Sequence, residues 1–214
     1  MRAVVLGGSR GIGYAIAESL SKAGCDVFAA SKADVDTSDL ESVKKFASMH
    51  PETDVLVLNT GGPPPAEFDK VSENDWQKYH NQLFLGFCLL VRQINITDGG
   101  YLFVISSSVI KEPSARLAVS GAYRSAFASI FRLLSVKLAK RDITCVTILP
   151  GPTNTDRTRE LVDDVDKFAA DLPMGRLGEP KEIGDMIKSI VKNNIKYVSG
   201  AMISFDGGAS KYIH

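Results

Sequence analysis

Four glycines crowd into one heptad near the start of the chain, Gly7-Gly8-Ser9-Arg10-Gly11-Ile12-Gly13. An apolar run at residues 3–6 precedes them. Behind them, Ile12, Ala15, Ile16 and Leu20 recur at helical spacing up to Gly24. The first pattern is that of a buried strand, and the second is an amphipathic helix with a glycine at its C-terminal end. A chain that passes from strand to helix through so many glycines turns tightly and brings the helix N-terminal N–H groups close to whatever lies above them. A pyrophosphate requires a tight turn, close backbone approach and free N–H groups at once, and glycine permits all three. Gly7, Ser9, Arg10, Gly11, Ile12 and Gly13 are therefore read as a dinucleotide cradle.

The rest of the chain repeats the alternation. Nearly continuous apolar runs at 26–30, 54–59, 100–106, 144–149 and 201–205 read as strands covered on both faces, and the segments between them carry helical patterns. Strand, helix, strand in that order means parallel pairing through right-handed crossovers. The expected fold is an α/β, Rossmann-type, doubly wound parallel sheet in three layers. Only residues 31–36 separate the second strand from a helical segment at 39–50, too few for a crossover helix, so the third strand region should be shortened. With 214 residues, no repeat and no flexible linker, residues 1–214 are read as one domain.

Charge excludes several functions. Lys plus Arg and Asp plus Glu both number 25, which leaves no field to draw the protein to nucleic acid or an anionic membrane. The apolar stretch at 83–91 is too short to span a bilayer and the N-terminus lacks a signal-peptide pattern, so a cytoplasmic location is expected. Cys25, Cys88 and Cys145 are odd in number and widely spaced, as are His50, His80 and His214. Neither a disulfide framework nor a metal site is expected.

The spacing Gly-x-x-x-Gly-x-Gly resembles that of the short-chain dehydrogenase/reductase family, and further motifs follow in order. They are Asn59-Thr60-Gly61-Gly62, Ile105-Ser106-Ser107, Pro150-Gly151-Pro152-Thr153-Asn154-Thr155, the segment 172–180 and Phe205-Asp206-Gly207-Gly208. The last two are similar to segments of the 3-oxoacyl-(acyl carrier protein) reductase branch. The resemblance implies that Asn59, Thr60 and Gly61 lie beside the adenine pocket, that Asp34 and Val35 contact adenine, and that Pro150, Gly151, Thr153 and Thr155 hold the nicotinamide carboxamide. Ser31 and Lys32 at the end of the second strand, with Arg10, favour NADP(H), which needs cations for its 2′-phosphate. Asp34 also stands at the distance of an NAD-type carboxylate, so NAD(H) stays open.

The family's chemistry uses a serine, a tyrosine, a lysine and an asparagine. Ser107 matches the serine, while Ser120, Arg124 and Leu83 stand where the other three are expected. A serine hydroxyl is a weaker acid than a phenol, and an arginine cannot shed a proton into a relay. Arg124 can still bond the coenzyme ribose, and Tyr123 is a possible substitute acid on the same helix. Two functions follow. One is a nicotinamide-dependent oxidoreductase acting on a carbonyl/alcohol pair of a small molecule, with Ser107 and Ser120 on the reacting oxygen. The other is a catalytically silent dinucleotide-binding protein, a sensor or partner subunit. The charges at 157–172, Arg157, Arg159 and Glu160 among them, can meet a polar or charged substrate or face water, and the water reading is preferred for a helical charge run. Leu83, Phe84, Phe87 and Leu90 with Phe127, Ile130, Phe131 and Leu134 exceed one core face, which with the resemblance implies a homo-oligomer, dimer or tetramer.

Overall fold

The computed structural model describes residues 1–212, so His214 lies outside the described residues. Six strands, β1 (Arg2–Leu6), β2 (Asp26–Ala30), β3 (Glu52–Leu58), β4 (Asn95–Ile105), β5 (Thr144–Pro150) and β6 (Met202–Phe205), form one sheet in the order β2-β1-β3-β4-β5-β6. Every pairing is parallel. Each expected strand is present. β4 begins earlier than its apolar run because Asn95 and Ile96 pair with Glu52 and Thr53 ahead of an irregularity in the ladder.

Helices cover both faces, as continuous apolar strands require. On one face α2 (Leu40–Met49), α4 (Gly86–Gln93) and α5 (Ala118–Ala139) bury Val43, Phe46, Phe87, Leu90, Phe127 and Phe131 against the sheet. On the other, α1 (Gly11–Lys22) and α8 (Pro180–Lys192) contribute Ile16, Leu20, Ile183 and Ile187. Each such side chain, fully buried, contributes about 1.5–3 kcal/mol. The seam between α1 and α8 is tight. A Cβ at Gly184 would stand 2.5 Å from the Ala15 carbonyl oxygen and 2.7 Å from Ser19 Oγ.

The third strand region is reduced to turns. After β2 the chain passes through 31–39 directly into α2, whose N-cap Asp39 accepts from the Glu41 N–H, and β2 is the edge of the sheet. Phe28, Phe46 and His50 close over that edge with ring centroids 4.3–6.1 Å apart. From β1 the chain runs first to β2 on one side and then, through α2, to β3 on the other. The direction of winding therefore reverses between β1 and β3. A crevice opens at their C-terminal ends, which is where open α/β sheets take their ligands.

Three segments complete the rim of that crevice. α3 (Glu73–His80) runs into a π-helical turn (Asn81–Leu85) ahead of α4, and the short helices α6 (Asp156–Leu161) and α7 (Val165–Ala170) follow β5. Among the described residues no helix is long and apolar enough to cross a membrane. Five of the eight residues read as surplus apolar surface, Leu83, Phe87, Leu90, Phe127 and Phe131, are buried within the chain itself. Phe84, Ile130 and Leu134 are only half-covered. Phe87, Leu90, Phe127 and Phe131 are consumed by the core against the sheet, while Leu83 packs with Tyr79 and Val119.

Candidate active site

The crevice is a cleft of about 670 Å³. Its near wall is the turn between β1 and α1. A Cβ on Gly13 would collide with the Gly7 carbonyl oxygen, and Gly7 itself has φ +60°, so glycine alone satisfies both positions. Asn59, at the end of β3, donates from Nδ2 to the Leu6 carbonyl at 3.2 Å and fixes the turn to the neighbouring strand. The N-terminus of α1 has no side-chain cap and no acidic residue in its first turn, which leaves its N–H groups and positive dipole end directed at the cleft.

The far wall is built from the ends of β4 and β5 and from α5. Ser107 caps a 3₁₀ turn, its Oγ accepting from the Val109 N–H at 3.3 Å, so the hydroxyl proton stays free for another partner. Arg124 reaches back from α5 to the sheet. Its Nε donates to Ser120 Oγ at 3.2 Å, Nη1 to the Ile105 carbonyl at 3.1 Å and Nη2 to the Thr60 carbonyl at 3.4 Å. The guanidinium thus ties β3, β4 and α5 together at the cleft floor. Burial, with Arg157 nearby, lowers its pKa to about 10, and it stays charged at neutral pH. Thr153 and Thr155 follow β5. The Thr153 hydroxyl donates to the Gly151 carbonyl at 2.9 Å, and Thr155 is the N-cap of α6.

Of the residues singled out from sequence, Gly7, Ser9, Arg10, Gly11, Ile12, Lys32, Val35, Asn59, Thr60, Gly61, Ser107, Ser120, Arg124, Pro150, Gly151, Thr153 and Thr155 all line this cleft. Four do not. Gly13 lies behind the turn as packing. Ser31 and Asp34 are turned on each other, the Asp34 carboxylate accepting from the Ser31 N–H at 2.8 Å and its hydroxyl at 2.7 Å, bonds that lower the Asp34 pKa. Tyr123 packs on the rings of Trp76 and His80, at 5.8 and 5.5 Å between centroids, and burial raises its pKa. It packs against α3 and is not among the residues that line the cleft.

Other residues reach the cleft without having been singled out. Asp36 lines it and pairs with Lys32 at 3.3 Å, an i,i+4 spacing visible in the sequence. Leu83, at the asparagine position, is buried in the core, but the π-helical turn sets the adjacent Gln82 on the rim. Its Nε2 donates to the Gly61 carbonyl at 2.8 Å and to Thr60 Oγ1 at 3.3 Å. Such single turns recur at functional sites. Arg157 and Glu160 also line the cleft, where the charges of 157–172 were expected to face water.

A family model described as enoyl-(acyl carrier protein) reductase matches residues 32–210. The chain belongs to the short-chain dehydrogenase/reductase family. The 3-oxoacyl-(acyl-carrier-protein) reductase FabG of Chlamydia trachomatis is 26% identical, with 96% of each chain covered. The NADPH-dependent reductase BacG of Bacillus subtilis is 24% identical over 99% of this chain and 98% of its own. Among solved structures, a blue fluorescent protein from a metagenomic library in complex with NADPH superposes with a TM-score of 0.88 at 25% identity, covering 98% of each chain. The chain is accordingly an oxidoreductase of the short-chain dehydrogenase type, and the silent alternative is disfavoured.

Proposed function

We propose that the chain is an NADP(H)-dependent reductase, similar to 3-oxoacyl reductases, that interconverts a carbonyl and an alcohol on a small molecule with serine hydroxyls in place of the family's tyrosine. The observation that carries this reading is the convergence of Ser107, Ser120 and Arg124 on one wall of a cleft whose other wall is the glycine turn. The residues fit the coenzyme. An uncapped helix N-terminus meets a diphosphate, and Lys32 and Arg10 stand at the end of β2 and the start of α1. The Asp34 carboxylate, which would oppose a 2′-phosphate, is held on Ser31 outside the cleft lining. When bound, the coenzyme supplies the hydride to the carbonyl carbon.

The chain's own groups then handle the oxygen. Ser120 Oγ accepts from Arg124 Nε, so its proton is free to go to the substrate oxygen, and the cationic donor makes the hydroxyl a better acid. Ser107 donates a second hydrogen bond to that oxygen. Losing a well-matched general acid costs about 10²- to 10⁴-fold, so turnover should be slow beside that of relatives with a phenol in place. The protein is further read as one cytoplasmic domain that forms a homo-oligomer through α4 and α5, where Leu133 and Val136 are exposed next to half-buried Ile130 and Leu134. A monomeric mass at micromolar concentration would reject that assembly.

The test is NADPH oxidation over a panel of ketones, 3-oxoacyl thioesters and sugars, with the triple variant Leu83→Asn, Ser120→Tyr, Arg124→Lys alongside. Measurable turnover by the native chain supports the reading. Inert native protein beside an active triple variant overturns it in favour of silent binding.

A further inference from the structure

Arg124 occupies a position that a protein rarely leaves uncompensated. Its three partners, Ser120 Oγ and the carbonyls of Ile105 and Thr60, are all neutral. Among the described residues no carboxylate lies within ion-pair distance of it. The side chain is half-buried, and a guanidinium even partly shielded from water is ordinarily paired with a counter-charge. Here the structure adds a second cation. Arg157, on α6, donates from Nη2 to the Pro63 carbonyl and from Nη1 to Glu160 at 3.1 Å, with 33% of its side chain exposed.

These groups meet at one point. The position of a Cβ on Gly62 lies 3.8 Å from Ser120 Oγ, 3.9 Å from Arg124 Nη2 and 4.0 Å from Arg157 Nη2, and outside Gly62 and its chain neighbours no other atom is as near. A Cβ there would make only ordinary contacts, and Gly62, Ser120, Arg124 and Arg157 all line the cleft, so one hydroxyl and two guanidinium groups face the same part of it. Arg124 has five N–H donors and three acceptors, so two remain for a ligand. Glu160 offsets one of the two cations, which leaves a surplus of one positive charge at the point.

We propose that the substrate carries a carboxylate, and that Arg124 and Arg157 hold it beside Gly62 while its carbonyl is reduced, so that the substrate class is a small oxo carboxylate. The proposal rests on the reductase reading above. A carboxylate suits the site because its oxygens can accept from the N–H groups the two guanidinium groups still have free and its single charge balances the surplus, whereas a phosphate monoester would bring nearly two. Arg124 then has two duties, with Nε on Ser120 and its remaining Nη N–H groups on the substrate. Arg157 is the specificity residue, since it contacts neither serine.

The experiment compares acetoacetate and pyruvate with their methyl esters on the native chain, both as substrates for NADPH oxidation and by calorimetric titration with and without NADP⁺, with inorganic phosphate as a further titrant. Acids should exceed esters by at least about 10-fold in kcat/KM and in affinity, the scale of one charge-assisted hydrogen bond. Arg157→Gln should erase most of that ratio without lowering the affinity for NADP⁺. Equal binding of acid and ester overturns the carboxylate site while leaving the reductase reading intact, and phosphate binding tighter than acetoacetate overturns the choice of anion. Absence of coenzyme binding instead overturns the reductase reading, and the titration without NADP⁺ still decides the anion site.

Discussion

At the Gly7 end of the cleft the chain presents backbone, and at the Arg124 end it presents side chains. On the proposed reading the glycine turn would recognise its ligand through N–H groups whose direction follows from φ, from the helix start and from the Asn59 bond to the Leu6 carbonyl. Few substitutions are tolerated there, because a Cβ has nowhere to go. The opposite wall depends on which side chains α5, α6 and the strand ends project. There Ser120, Arg124 and Leu83 stand where the sequence resemblance expects the family's tyrosine, lysine and asparagine, and the sheet is undisturbed. A fold can therefore keep its coenzyme end fixed while its reaction end is rebuilt.

Five measurements break or sharpen that contrast. The largest effect is expected at Gly13→Val, where a branched side chain is driven into the Gly7 carbonyl. Overpacking of this kind costs about 1–3 kcal/mol or more, and calorimetry should find NADPH binding weakened by at least about 100-fold. Ser120→Ala or Ser107→Ala should instead cut kcat by about 10²-fold or more, the scale of a lost proton donor, while coenzyme affinity stays level. A matching loss of affinity would show that the two ends are not separable. Lys32→Ala should weaken NADPH about 10-fold and leave NADH alone, as expected of one charge-assisted contact, and equal effects on both would return the choice of coenzyme to Asp34.

The fourth measurement concerns support behind the cleft. Glu182 in the first turn of α8 accepts from the Glu179 N–H and from Arg176 at 2.8 Å, and these bonds hold its pKa at about 2. A depressed carboxylate contributes stability that is present above its unfolded pKa and lost as the pH falls through the folded value. Glu182→Ala should thus lower stability at neutral pH by about 1 kcal/mol. The difference from the native chain should shrink between about pH 4.5 and pH 2, followed by thermal melting. Last, Tyr123→Phe should leave turnover unchanged; a drop beyond 10-fold would bring Tyr123 back as a proton donor.

What could be read in advance follows the same division. All six strands announce themselves because a sheet covered on both faces demands unbroken apolar runs. The glycine turn is equally plain, since its constraint is local. Tyr123 is different. Three residues from Ser120 on one helix, it is claimed by Trp76 and His80 of α3, a packing choice that spacing within α5 does not contain. Arg157 was read as solvent-facing because its neighbours are charged, yet a carbonyl of the distant Pro63 loop draws it into the cleft. Gln82 depends on a π-helical turn, which leaves no mark in hydrophobic period.

The seam at Gly184 has a bearing on all of this. The helix that carries the uncapped N–H groups at its front is clasped from behind by a helix near the other end of the chain, with Ala15 and Ser19 seated where a side chain at 184 would be. A fragment that kept every glycine of the opening turn but stopped short of α8 would lose the platform on which that turn stands. Coenzyme recognition here is a property of the closed fold and is not portable as a leading βα unit.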